Sequence, residues 1–490
     1  MDKRQGRQTD QSATFHSYPY RIVMMKARII LASLLLAGLN SLAQKSPVTL
    51  WLTNADKSAM FQQQKQTLKF ELKDANDHPS ITVDDGTTYQ PIDGFGFALT
   101  GGSAMHIIRM SKPARAALLK ELFAYDDNNI GVSYLRLSIG ASDLNEKVFS
   151  YDDMPAGETD PKLAHFDLGP DKADVIPVLK EILAINPKIK ILGSPWSAPA
   201  WMKTNGDTRG GALKPEYYQA YADYLVKYIK AYKTLGITID AITVQNEPLN
   251  PKNNPSMMMQ AHEQADFIKN NLGPAFQSAG IKSRIILYDH NCDRPDYADS
   301  ILTDKAAAKY VDGSGFHLYG GKIEVMTDLH NKYPEKNLYF TEQMVIEKDG
   351  SPSTKVADPV RRLFIGATRN WSRNVLEWNL AADINNQPHT DRGGCPMCQG
   401  TVTIDKDSYT RNIAYYAMAH ASKFVRPGSM RIASNNIDNL PNVAFITPQG
   451  KKVLIVTNSG KTEQNFNIYS KGKMVTTQLK AGAVGTYTWQ

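Results

Sequence analysis

Between residue 93 and about residue 426, short apolar runs alternate with longer segments whose apolar positions recur every three to four residues. The short runs occupy 94–100, 132–139, 189–194, 241–245, 284–288, 315–319, 338–341 and 375–379. Near-continuous apolar stretches of this length predict strands covered on both faces, as in a parallel sheet flanked by helices. Segments such as 113–123, 174–185, 215–234, 257–271 and 359–371 carry the helical period and predict the crossovers. Eight repeats of this kind predict an α/β fold, a (β/α)8 TIM barrel with insertions, rather than an open doubly wound sheet.

Beyond Pro427 the pattern changes to short alternating runs broken by Asn, Gly and Lys, as in Val443-Ala444-Phe445-Ile446-Thr447. Such runs predict antiparallel strands. This C-terminal module is small for a sandwich of its own, and residues 44–90 have strand-like runs as well, including Thr67-Leu68-Lys69-Phe70-Glu71-Leu72. Both chain ends are therefore expected to build one side-attached β-sandwich, with the barrel at 91–426 and the C-terminal part of the sandwich at 427–490.

Residues 1–43 read as a leader. Met25-Lys26-Ala27-Arg28 precedes an apolar run over 29–39 and then Asn40-Ser41-Leu42-Ala43-Gln44, the order of a secretory signal peptide, with translation expected to start at Met24 or Met25. A run of eleven residues is shorter than the ~20 that span a bilayer. Leu39 stands after Ala37-Gly38, where a lipoprotein signal needs cysteine. These features predict a secreted or periplasmic protein with no stable membrane anchor.

The formal charge is +7, but the leader holds six basic and two acidic residues, which leaves +3 for the remainder. No dense Lys/Arg block occurs, so no nucleic-acid partner is expected. A composition of 42% hydrophobic and 21% charged residues is that of a globular chain. Three cysteines make no disulfide framework. Cys395 and Cys398 form a single C-x-x-C that reads as a local loop disulfide, because no second pair completes a zinc site. Cys292 is expected to be unpaired.

Catalytic groups of such barrels sit at the C-terminal ends of strands. Glu247, in Asn246-Glu247-Pro248, follows predicted strand four, and Glu342, in Thr341-Glu342-Gln343, follows predicted strand seven. Two carboxyl groups facing each other across the barrel mouth are what glycoside hydrolysis requires: one protonates the leaving oxygen while the other attacks the anomeric carbon. Repulsion and burial would keep the acid protonated. Other strand ends supply Arg136, Asp143, Trp196, Trp201, His317, Tyr319, Trp378 and Asn379, aromatic faces and polar groups suited to sugars. His290 and His317 both follow strand positions, whereas His106, His165, His262 and His420 read as surface or packing residues. Gly460-Lys461-Thr462 lacks the first glycine of a phosphate loop and reads as a turn, and Asp405-Lys406-Asp407 lacks the rest of a calcium loop. No cofactor and no metal are implied.

These motifs resemble glycoside hydrolase family 30, retaining β-glycosidases that include glucosylceramidases, β-1,6-glucanases and xylan-active enzymes. The resemblance runs from about Trp51 to the C terminus, through Ile92-Asp93-Gly94-Phe95-Gly96, Leu135-Arg136-Leu137-Ser138, Ser194-Pro195-Trp196-Ser197-Ala198-Pro199-Ala200-Trp201-Met202-Lys203, Asn246-Glu247-Pro248, Thr341-Glu342 and Trp378-Asn379-Leu380. It implies Glu247 as acid/base and Glu342 as nucleophile, with Asn246 at the sugar 2-hydroxyl and Tyr319 near the nucleophile. Arg136, Asp143, Trp196, His317 and Trp378 would line the sugar subsite that ends at the cleaved bond. Within the family, the motif from Gly193 to Met202 and Tyr288-Asp289-His290-Asn291 look most like secreted microbial endo-β-1,6-glucanases, so the expected partner is a β-glucan polysaccharide or oligosaccharide. A glucosylceramidase or another exo-β-glycosidase is the alternative with the same chemistry, and a non-catalytic carbohydrate-binding barrel is the alternative without it. Oligomeric state is open at this level.

Overall fold

The computed structural model describes residues 47–72, 76–347 and 355–490. The expected leader lies outside the described residues. Eight parallel strands close into a barrel in chain order: Gly94–Leu99, Tyr134–Ile139, Lys190–Pro195, Ala241–Thr243, Arg284–Cys292, Val311–Gly321, Asn337–Glu342 and Ser372–Glu377. They are called strands one to eight below. Tyr134, Leu192, Ala241, Ile286, Tyr339 and Leu376, from six of these strands, pack into one buried cluster. Strand one, Gly-Phe-Gly-Phe-Ala-Leu, is buried along its whole length. Gly96 is required there, since a Cβ on it would lie 1.7 Å from the Tyr134 carbonyl oxygen of strand two.

Helices cover the barrel through apolar stripes. In Tyr218–Thr234 the buried residues include Tyr218, Tyr221, Leu225, Tyr228 and Tyr232, the spacing of one helix face. The expected helix over 257–271 starts later, at Ala261, where Gln260 and Glu263 form a capping box. Its apolar first residues Met257 and Met259 are buried as loop instead. A helix at Gly101–Arg109, capped by Thr100, was not expected, because its Gly-Gly start reads as a turn.

At the opposite end of the barrel from the C-terminal strand ends, Asp93 receives Lys190 at 3.0 Å, Arg284 at 3.1 Å and Arg373 at 2.9 Å. One carboxylate thereby ties the start of strand one to strands three, five and eight. Burial raises the Asp93 pKa, but the contact with Arg373, joined by Lys190, more than offsets this and holds it below the ordinary aspartate value.

Both chain ends form the β-sandwich. Pro47–Thr53 pairs antiparallel with Val484–Trp489, which also pairs with Lys452–Thr457. Ser80–Pro91 joins Met430–Ser434 and Gln464–Ser470. Val48, Leu50, Ile81, Leu454, Phe466, Tyr487 and Trp489 share its core. His420, in the helix Ile413–Ser422 that follows the barrel, bridges the hydroxyls of Thr53 and Thr486, each at 2.8 Å. No described helix is long and apolar enough to cross a membrane.

Candidate active site

The C-terminal strand ends converge on a buried cluster of charges. Arg136 of strand two, fully buried, donates from Nη1 to Glu342 at 2.5 Å and from Nη2 to Asp289 at 2.8 Å and to the Asn246 side-chain oxygen at 2.8 Å. His317 of strand six stands between the carboxylates. Its Nε2 lies 3.1 Å from Asp289 and its Nδ1 lies 3.3 Å from Glu247 and 3.8 Å from Glu342. One oxygen of each glutamate and one His317 nitrogen fall within 4.8 Å of one another. The trio has the donor atoms to share a divalent cation, but the Arg136 guanidinium already supplies positive charge to Glu342.

The two glutamates have different surroundings. Glu342 accepts from the Tyr319 hydroxyl at 3.0 Å, and that hydroxyl accepts in turn from the Met344 backbone N–H at 3.0 Å. Glu247 accepts from the side-chain amides of Asn250 at 2.7 Å and Asn253 at 3.4 Å. Burial raises Glu247, but the hydrogen bond and charge of His317 override it and hold the group at about 2. Burial also raises Glu342, with Glu247 adding to the effect and His317 and Arg136 opposing it, so its pKa stays above the ordinary value. His317 is lowered by burial but raised further by Glu342 and its bonded carboxylates, up to about 9. Asp143, just beyond strand two, is pushed up to about 8 by burial and by the two glutamate charges.

Trp196, after strand three, and Trp378, after strand eight, stack with ring centroids 5.3 Å apart, and the Arg136 guanidinium lies 4.8 Å from the Trp196 ring centre. Asn379 is anchored by Ser103, whose hydroxyl donates to its side-chain oxygen at 3.0 Å. Tyr319 is 42% exposed, its hydroxyl on Glu342 and its ring at the mouth. Trp201 is buried away from this cluster, with its indole N–H on the Asp152 carbonyl oxygen at 2.9 Å. Cys395 and Cys398 are joined in a disulfide, and Cys292 is free and buried.

The structure thus brings together Arg136, Trp196, Asn246, Glu247, His317, Tyr319, Glu342 and Trp378, with Asp143 within range of both glutamate charges. It adds a residue that the sequence reading did not single out as a site. Asp289 is fully buried beneath the glutamates and accepts from Arg136, from Ser194 at 2.6 Å and from Thr341 at 2.5 Å. Burial opposes its charge, but Arg136 and His317 hold its pKa well below the ordinary aspartate value. The signal available was its position directly after the run Ile285-Ile286-Leu287-Tyr288. Glu247, with φ 45°, and Asp289, with φ 66°, both occupy the left-handed region, and the Glu247 N–H donates to the Asp289 carbonyl at 2.9 Å. Non-glycine residues held in this region concentrate at functional sites.

Residues 92–425 match the glycosyl hydrolase family 30 TIM-barrel domain, and residues 428–487 match the glycosyl hydrolase family 30 beta sandwich domain. The chain belongs to glycoside hydrolase family 30. As a family 30 member it is a glycoside hydrolase, and its relatives include enzymes of two substrate classes. An endo-1,6-β-D-glucanase of Aspergillus fumigatus is 35% identical over 406 residues, covering 77% of this chain and 81% of that protein. The lysosomal acid glucosylceramidase of Mus musculus is 27% identical over 438 residues, covering 84% and 83%. Among solved structures, the endo-β1,6-glucanase BT3312 superposes with a TM-score of 0.82 at 32% identity, over 90% of this chain and 99% of that one.

Proposed function

We propose that this chain is an exported endo-β-1,6-glucanase that works with retention through a covalent glycosyl-enzyme. The observation that carries the mechanism is the approach of Glu247 and Glu342 oxygens to within 4.8 Å. Carboxyl groups about 5–5.5 Å apart leave no room for a water between acid and sugar and favour direct attack by the second carboxylate. The linkage rests on similarity to endo-1,6-β-glucanases of about 35% identity. Export rests on the leader pattern alone.

Glu342 attacks the anomeric carbon as Glu247 gives its proton to the departing oxygen, so the glycosidic bond breaks as the ester forms. Water, deprotonated by Glu247, then attacks the same carbon and releases the sugar. The acid needs a proton that the charges of the resting site place on His317. At 3.3 Å, an imidazolium beside a carboxylate and an imidazole beside a carboxylic acid are two positions of one proton. In the second arrangement Glu247 is the acid, its repulsion of Glu342 is gone, and Arg136 and Tyr319 favour ionised Glu342. Asn246 holds the sugar 2-hydroxyl, Trp196 and Trp378 pack against the ring, and Asp143 exchanges hydrogen bonds with the glucose hydroxyls.

A product-size time course on soluble β-1,6-glucan, with β-1,3-glucan and xylan in parallel, tests the reading. A ladder of gluco-oligosaccharides from the β-1,6 polymer alone is expected. Glucose alone from the outset contradicts endo action, and turnover of detergent-dispersed glucosylceramide with no attack on any polymer contradicts the substrate.

A further inference from the structure

The segment between strand eight and the short strand Val402–Asp405 runs across the mouth of the barrel. It is pinned at several points. The Thr390 N–H donates to the Asp143 carbonyl at 2.9 Å, the Asn254 amide donates to Asp391 at 3.0 Å, and Arg392 pairs with Asp207 at 3.0 Å. At its far end lies the Cys395–Cys398 disulfide. Cys398 is 4% exposed and belongs to one buried cluster with Ala98, Leu144, Trp196 and Trp378, against which Met344 and Cys395 also pack.

Met344 links this cluster to the nucleophile. Its sulfur is 3.4 Å from Cys398 Sγ, its backbone bridges to Trp378, and its N–H donates to the Tyr319 hydroxyl that holds Glu342. The disulfide is thus two residues removed from Glu342, through Met344 and Tyr319, and packs in one cluster with the tryptophans.

We propose that the Cys395–Cys398 disulfide is a positioning element of the sugar subsite, which seats Trp378 and, through Met344, Tyr319 against the bound sugar. It rests on the glycosidase reading above. A close-packed cluster cannot absorb a change in volume without moving its members. Two thiols fill more space than the bonded pair and also release the loop, so reduction displaces the tryptophan platform. Arg136 holds Glu342 independently at 2.5 Å, so the disturbed Tyr319 contact changes the chemical step less than the displaced tryptophans change sugar affinity.

The test uses the full-length protein as wild type, Cys395→Ser/Cys398→Ser, Met344→Ala and Met344→Leu. KM and kcat are measured on an aryl β-glucoside and on β-1,6-glucan, with and without dithiothreitol, and thermal unfolding verifies folding. The double variant and reduced wild type are expected to show a KM raised about fivefold or more with kcat changed less than threefold. Reoxidation restores wild type, dithiothreitol leaves the double variant unchanged, Met344→Ala raises KM, and Met344→Leu stays near wild type. A folded double variant with wild-type KM overturns the inference, as does a lower unfolding temperature with unchanged KM. Gentiobiose binding followed by tryptophan fluorescence separates the two readings. Reductant-sensitive binding by a wild type that hydrolyses nothing sinks the hydrolase reading and sustains this one, and binding insensitive to reductant sinks this one.

Discussion

Glu247 and Glu342 differ in what surrounds them, and the difference predicts unlike mutants. Glu342→Gln removes the proposed attacking group, so kcat on every substrate should fall by about 10^3-fold or more. Glu247→Ala should lose about 10^2- to 10^4-fold on glucan but far less on a dinitrophenyl glucoside, whose leaving group needs no proton. Azide should restore turnover of the aryl substrate in Glu247→Ala and give the β-glucosyl azide. His317 predicts the pH profile. Protonation of Glu342, whose pKa is raised above the ordinary glutamate value, sets the acid limb, and loss of the His317–Glu247 proton near pH 9 sets the alkaline limb. His317→Gln should move the alkaline limb of kcat/KM to lower pH, since a carboxyl beside Glu342 then holds the proton alone. The same raised pKa means that His317 contributes stability fully below about 6.5, the unfolded value, and loses it as pH rises through about 9.

At the level of elements, the Asp93 network predicts that Asp93→Asn lowers stability by ~2 kcal/mol. The figure is reduced from that of a fully buried pair because Lys190 and Arg284 are partly solvated. Denaturant unfolding measures it, and KM of the folded variant should not change, since Asp93 lies far from the strand ends that carry the glutamates. The strands were legible in the sequence because a parallel barrel buries both faces, and the resulting apolar runs end in the polar residues that form the cluster. Glu247, Glu342, Arg136 and His317 were visible on that basis. Asp289 was not, because strand five continues past the expected end at 288 to Cys292, and left-handed backbone at Tyr288 and Asp289 breaks the alternation that would show which side chain turns inward. Asn250 and Asn253 reach Glu247 from a loop, where no periodicity points to them. The segment 257–271 misled for a related reason: Met257 and Met259 are apolar because a loop buries them, and apolar spacing does not separate that from a helix.

For the whole molecule, the β-sandwich closes the chain on itself. That both ends share one domain could be inferred from the size of the C-terminal module, but the pairing of Pro47–Thr53 with Val484–Trp489 depends on three-dimensional register that no local pattern carries. The His420 bridge between Thr53 and Thr486 joins the sandwich to the helix Ile413–Ser422 that follows the barrel strands, so barrel and sandwich should unfold in a single transition. Deleting residues 484–490 removes the strand between Pro47–Thr53 and Lys452–Thr457 and should abolish that transition in calorimetry. Burial holds His420 at about 3, so this imidazole stays neutral in the fold; stability from this site is lost as pH falls from about 6.5, where the unfolded histidine takes its proton.

In the proposed mechanism Glu342 forms a covalent glycosyl-enzyme while Glu247 serves as acid and then base. Proton NMR of the first reducing ends released from β-1,6-glucan tests it most directly. Double displacement gives β-anomer in the first minutes, followed by mutarotation toward the α/β equilibrium. An initial burst of α-anomer would mean a single displacement by water and would contradict the role assigned to Glu342.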